Sequence, residues 1–263
     1  MSISAYWHDK KKRAKKAIKH TEYMESMYNN ETKESIEKTE TYDDSNVIIP
    51  NNNGKTTSIR LIESDTVSTA LDATGKVCVL NFASFKNPGG MFIKGSCAQE
   101  ECICHNSNLY NILRAKPEYY KKNNTRLNKA LYLDRALYSP DVIFKRDDVV
   151  KKIDVLTCAA PNYTTASKYC KVSENENSEA LRKRIRFILS ILYTKQLDYV
   201  ILGAFGCGVF GQDAEEVANI FIEEINNIYG DSKSTEFIFA VIDKDSRNYK
   251  AFYKVITKYN EEN

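Results

Sequence analysis

The chain has 263 residues and 42% of them are hydrophobic, enough to close a sizeable core, which excludes a wholly disordered protein. With 38 Lys+Arg against 35 Asp+Glu the formal net charge is only +3, so bulk charge does not direct the chain to nucleic acid, and no direct nucleic-acid partner is expected. No stretch approaches the ~20 apolar residues of a membrane span, and the N-terminus lacks the apolar core of a secretory signal, so a cytoplasmic protein with no membrane partner is expected.

Residues 4–40 are rich in Ala, Lys and Glu and contain neither Gly nor Pro, which predicts an N-terminal helical arm. Its basic segment KKKRAKKAIK, residues 10–19, suits a solvated helix face or a contact with an acidic polymer. Residues 41–56, TYDDSNVIIPNNNGKT, change to turn-forming types and mark a junction, giving an arm over 1–45 and a larger domain over 46–263.

Strands and helices then alternate. SIRLIES (58–64) predicts a strand, TVSTALDATG (66–75) a short helix ending at Gly75, and KVCVLNFAS (76–84) a buried strand. AQEECICHNSNLYNILRA (98–115) has helical spacing, whereas DVIFKR (141–146) and VVKKIDVLTCAA (149–160) read as strands. An amphipathic helix is expected over 181–196, a strand over 199–205, a helix over 214–229, a strand over 236–243 and a closing helix over 248–260. This alternation predicts an α/β sheet with helices on both faces, in which ligands gather at the carboxyl ends of the strands.

Two glycine-bearing loops each follow an apolar strand and lead into a helix. They are Asn87-Pro88-Gly89-Gly90-Met91-Phe92-Ile93-Lys94-Gly95 and Gly203-Ala204-Phe205-Gly206-Cys207-Gly208-Val209-Phe210-Gly211. Glycine lets backbone approach a ligand closely, and successive amides near a helix N-terminus favour an anion such as a diphosphate, although ordinary strand-to-helix turns look alike. Gln99-Glu100-Glu101 opens the helix that leaves the first loop. Carboxylates suit a first helical turn for dipole and capping reasons alone. Beside a phosphate loop, however, a carboxyl crowded by a second one and by a diphosphate has the raised pKa that a general acid needs. Successive helical side chains point about 100° apart, so the two carboxyls are not expected to face each other across a scissile bond.

Other candidates carry less. His105, one turn past Glu101, is expected to be exposed or hydrogen-bonded on the helix. Phe205 and Phe210 flank the second loop and suit either stacking on a ribose or base, or core packing. The seven cysteines are an odd number, which reduced thiols explain most simply. Cys102-Ile103-Cys104-His105 has the look of a metal cluster but no second Cys or His pair at zinc spacing, so neither a metal nor a cofactor is expected.

With these residues assembled, VLNFASFKNPGGMFIKGSCAQEE resembles the signature of the microbial-type poly(ADP-ribose) glycohydrolases, in which a glycine triplet precedes Gln-Glu-Glu. LGAFGCGVFGQDAEEVANIF is similar to the diphosphate-binding loop of that family, and DRALYSPDVIFKRDD, VLTCAAPNY and FAVIDKDSRNYKAFYKVI extend the similarity from about Arg13 to Ile256. The resemblance implies a three-layer α/β/α macrodomain with a mixed central sheet behind an N-terminal helical extension. It also implies hydrolysis of the ribose-ribose bonds of poly(ADP-ribose), from chain ends, with the polymer or an ADP-ribosylated protein as partner and ADP-ribose as product. Glu101 would be the catalytic acid and Glu100 would hold ribose hydroxyls. Gln99 would orient the pair, Asn87 would contact the distal ribose, and Gly89, Gly90 and Gly206-Cys207-Gly208-Val209-Phe210 would hold the diphosphate through backbone amides. Met91 stands where the family has its third glycine; if that position needs φ > 0, a side chain there costs about 1 kcal/mol or more. A reader module without turnover and a mono-ADP-ribosyl hydrolase are the alternatives.

Overall fold

The computed structural model describes residues 9–50, 58–125, 128–230 and 235–262. Seven strands form one mixed sheet: β1 (Glu40–Asp43), β2 (Ser58–Ile62), β3 (Val77–Phe82), β4 (Arg135–Arg146), β5 (Val149–Cys158), β6 (Tyr199–Leu202) and β7 (Glu236–Ala240). Their order is β1-β4-β5-β3-β6-β7-β2, parallel from β5 to β2, with β4 and β1 antiparallel at one edge. β3 lies between two parallel partners, which is why VCVLNF is almost continuously apolar rather than alternating.

The helices are α1 (Lys10–Met27), α2 (Asn29–Lys38), α3 (Thr66–Asp72), α4 (Gln99–His105), α5 (Leu109–Leu113), α6 (Pro117–Thr125), α7 (Tyr163–Cys170), α8 (Glu174–Tyr193), α9 (Ala214–Tyr229) and α10 (Arg247–Glu262). α8, α9 and α10 bury Ile188, Phe221 and Phe252 against Leu80, Leu202 and Phe239 on one face of the sheet. α1 and α3 to α6 bury Ala17, Val67, Ile103, Leu109 and Tyr119 against Val79, Val155 and Ile201 on the other. The result is the three-layer α/β/α architecture with a mixed central sheet. Among the described residues no helix is long and apolar enough to cross a membrane.

Several boundaries move, each for a local reason. The segment expected as one helix over 98–115 breaks at residues 106–108: Ser107 bridges to Phe144, and Asn108 Oδ1 accepts from the backbone of Ile143, so side chains draw the chain to the sheet edge. α3 stops at Asp72 rather than Gly75, which instead takes φ +87° in the turn to β3. β4 starts at Arg135, and an irregularity between Ser139 and Val142, with Asp141 at φ +56°, conceals its first half from a pattern of alternation. α6 and α7 carry too little apolar periodicity to stand out. The turn-rich stretch 41–56 opens on the end of β1, and residues 4–8 and 51–56 lie outside the described residues.

α1 buries Arg13, Ala17, Thr21 and Met24, spaced as one helical stripe. Arg13 Nε donates to the carbonyl of Gly95 at 2.8 Å. Gly95 has φ +79°, and a Cβ there would collide with the carbonyl of Lys10 and stand 2.9 Å from the amide of Ala14. The helix thus seats directly on the loop that leads into α4. Gly95→Ala should therefore lose about 1–3 kcal/mol of stability; a urea-denaturation midpoint equal to that of the wild type would refute this packing.

Candidate active site

β3 and β6 are adjacent and parallel, pairing Val77 with Tyr199 and Val79 with Ile201, so the two glycine loops leave the sheet side by side at its carboxyl end. In the first loop Gly89 and Gly90 take φ +63° and +61°. A Cβ on Gly90 would stand 2.5 Å from Glu101 Oε1 and 3.0 Å from Glu100 Oε2, so only glycine lets the loop lie against both carboxyls. The two carboxyls therefore converge on one point, contrary to the divergence expected from helical spacing alone. Met91 has φ −110° and ψ 31°, an ordinary backbone conformation, and its side chain is 39% exposed. The expected cost of a side chain in the third position of the triplet is absent.

The carboxyls are met chiefly by backbone. Glu100 Oε2 accepts from Ser84 N at 2.6 Å and Oε1 from Asn81 Nδ2 at 3.3 Å, with a further hydrogen bond from the backbone of Gly89. Glu101 Oε1 accepts from Met91 N at 2.9 Å and Oε2 from Ala98 N at 2.9 Å, the latter closing the first turn of α4 on its cap. Gln99 Oε1 accepts from Phe82 N at 2.8 Å while its Nε2 donates to the Leu80 carbonyl at 2.8 Å, so its amide continues the hydrogen-bonding edge of β3. Burial, reinforced by the neighbouring Glu101, pushes the Glu100 carboxyl up to about 8 against the hydrogen bonds it accepts. The raised acid is thus Glu100, and burial rather than crowding by the second carboxyl is the main cause.

The amides of this loop are engaged within the protein: Gly90 N donates to the Asn87 carbonyl at 3.0 Å, and those of Gly89 and Met91 face the two glutamates. The second loop differs. Gly206 and Gly211 take φ +77° and +72°, packed on Gln212 and Thr164. Cys207 N donates to the Ala204 carbonyl at 3.1 Å, but among the described residues the amides of Gly206, Gly208, Val209 and Phe210 have no protein acceptor. Gly208 faces open space and Val209 is 84% exposed. That is an anion cradle in form. Phe205 is fully buried against Phe82 and Phe221, whereas half-buried Phe210 sets its edge toward Tyr132 at 6.0 Å.

Between the starts of α3 and α4 and the segment that follows β7 lies a cavity of about 440 Å³, lined among others by Thr66, Phe82, Gln99, Ala204, Ile242 and Asn248 but by neither glutamate. A second concavity, of about 430 Å³ beside Ser58, Gly75 and Asp198, lies at the opposite end of the strands, away from both loops. Asn87 is exposed.

Two further residues complete the picture. Asn81, fully buried, donates from Nδ2 to Glu100 and, at 3.2 Å, to Thr157 Oγ1, while its Oδ1 has no partner. It escapes the motif patterns; its signal is an amide inside an otherwise apolar strand. His105 is neither exposed nor hydrogen-bonded: both ring nitrogens are buried without partners, its ring lies edge-on to Phe92 at 4.6 Å, and burial lowers its pKa to about 4. Among the described residues no group of His, Cys, Asp and Glu could hold a metal ion.

The family model described as microbial-type PARG (poly(ADP-ribose) glycohydrolase), catalytic domain, matches residues 11–147, a span holding the first loop and both glutamates. The chain belongs to this family. Among solved structures it is similar to the poly(ADP-ribose) glycohydrolase of Thermomonospora curvata bound to the inhibitor ADP-HPD, at 28% identity over 92% of this chain and 98% of that one, with a TM-score of 0.81. The Deinococcus radiodurans poly(ADP-ribose) glycohydrolase in complex with ADP-ribose matches at 27% identity over 86% of this chain and 97% of that one, with a TM-score of 0.75. No curated protein matches the chain.

Two outcomes follow for a glycohydrolase site built this way. Because the folded-state pKa of Glu100 is raised, the native protein holds a proton that the unfolded chain releases above the ordinary carboxyl range, so stability falls as pH rises from about 5 to 8. Glu100→Gln should flatten this loss, raising Tm at pH about 8 relative to the wild type more than at pH about 5; equal shifts at both pH values would refute the buried proton. Met91→Gly should leave kcat/KM within about threefold of the wild type, because no strain awaits relief. A larger gain would show that Met91 distorts the loop.

Proposed function

We propose that the chain hydrolyses the ribose-ribose O-glycosidic bonds of poly(ADP-ribose), releasing ADP-ribose from chain ends. The observation that carries this reading is the convergence of two buried carboxyls on Gly90, beside a cradle of unpaired amides and a cavity at the strand ends. The diphosphate is assigned to the amides of Gly206, Gly208, Val209 and Phe210, where among the described residues no protein acceptor competes. The adjoining cavity has the volume of a pocket for one small-molecule unit. Exposed Asn87 is left for the distal ribose. Gln99 acts by tying α4 to β3.

In this reading Glu101 gives a proton to the leaving ribose oxygen as positive charge develops at the anomeric carbon. As the carboxylate, it then takes a proton from the incoming water, which adds to that carbon. Glu100, neutral below about pH 8, hydrogen-bonds the ribose hydroxyls and keeps a second negative charge away from the diphosphate. The reader alternative rests on Met91, whose relaxed backbone removes its ground.

The two glutamates separate by substitution. Incubated with polymer, the wild type should release free ADP-ribose, and Glu101→Gln should lose about 10²–10⁴ of the rate. Glu100→Gln, which imitates the neutral acid, should keep activity within about tenfold at neutral pH. The wild-type kcat/KM should fall as pH rises through about 8, and Glu100→Gln should lack that limb. The opposite ranking of the two variants would transfer the acid role to Glu100.

A further inference from the structure

We infer that a basic track running from Lys86, just before the first loop, and Lys94 on it onto Lys11, Lys15 and Lys19 of α1 takes the diphosphates of polymer units beyond the one being cleaved. This rests on the polymer reading of the cleft and extends it to the part of the substrate the cleft cannot hold. All five lysines are exposed, and among the described residues none is in an ion pair. Lys12 beside them pairs with Asp9, and exposed lysines elsewhere, such as Lys33 and Lys152, also lack an ion pair among the described residues; what sets this surface apart is that three recur along one helix face next to two on the adjoining loop.

The placement is fixed by packing. Arg13 and the carbonyl of Lys10 seat α1 on Gly95, five residues beyond Gly90 and four before Gln99, so the first turns of the helix abut that loop with their lysines on the outward face. Lys11, Lys15 and Lys19 recur every four residues on the face opposite the buried Arg13, Ala17, Thr21 stripe, about 6 Å apart along the axis. Each unit of the polymer brings a diphosphate, and a flexible polyanion lying along a line of unneutralised ammonium groups releases counterions with each contact. The occupant this surface fits is therefore the polymer itself, not an apolar partner.

The test compares the wild type with a Lys11→Gln/Lys15→Gln/Lys19→Gln triple variant, which keeps helix propensity while removing three charges. Substrates are long poly(ADP-ribose) and its dimer, and binding of long polymer is followed separately across a salt series. Expected for the variant are a KM for long polymer raised roughly tenfold and a log-log salt slope of polymer binding shallower by about 2. Rates on the dimer should stay within about twofold. Unchanged polymer affinity and salt slope, or equal losses on dimer and polymer, would overturn the track. A wild type that binds long polymer salt-dependently but cleaves neither substrate would contradict the hydrolase reading while leaving the track standing.

Discussion

Two adjacent carboxyl groups are buried at the start of α4, and the whole cleft is arranged around keeping them there. Burying a carboxylate without partners is prohibitive, so each oxygen needs a donor. Ser84, Asn81, Met91 and Ala98 provide them, three through backbone N–H groups. That in turn requires the loop to pass within contact of both side chains, which only Gly90 permits, and requires α4 to be fixed against β3, which the Gln99 amide does.

A division of labour between the loops follows from the same constraint. Amides engaged by glutamates are not available to a diphosphate, so in the proposed reading the first loop serves the carboxyls and the second takes the phosphate. The parallel pairing of β3 with β6 brings the two loops together, which makes the central sheet order part of the site. The seating of α1 on Gly95 then links the first loop to a segment far away in sequence.

Much of this was legible from residues. Both glycine loops and the glutamate pair stand out because glycines after apolar strands, followed by a capped helix, form a local pattern, and the resemblance to the family rested on those same positions. What was not legible depended on contacts between distant segments. The convergence of Glu100 and Glu101 arises from the fold of the loop over them, not from helical spacing, and the ordinary φ of Met91 follows from Gly89 and Gly90 absorbing the whole left-handed turn. Asn81 sat in a strand whose pattern was apolar, and its meaning appears only when Glu100 folds down on it. The first half of β4 was hidden by its irregular register, and the break after α4 by side chains that pair with the neighbouring strand.

Glu100 holds a proton in the folded protein around which the cleft is built, and a direct titration reads it. Carbon-13 NMR of protein labelled at glutamate side-chain carboxyls, with Glu100→Gln used to assign the resonance, should show Glu100 changing charge near pH 8 in the free protein. With ADP-ribose bound, its transition should move to higher pH, since a nearby diphosphate disfavours a second negative charge. A transition in the ordinary carboxyl range, unmoved by ADP-ribose, would contradict the account.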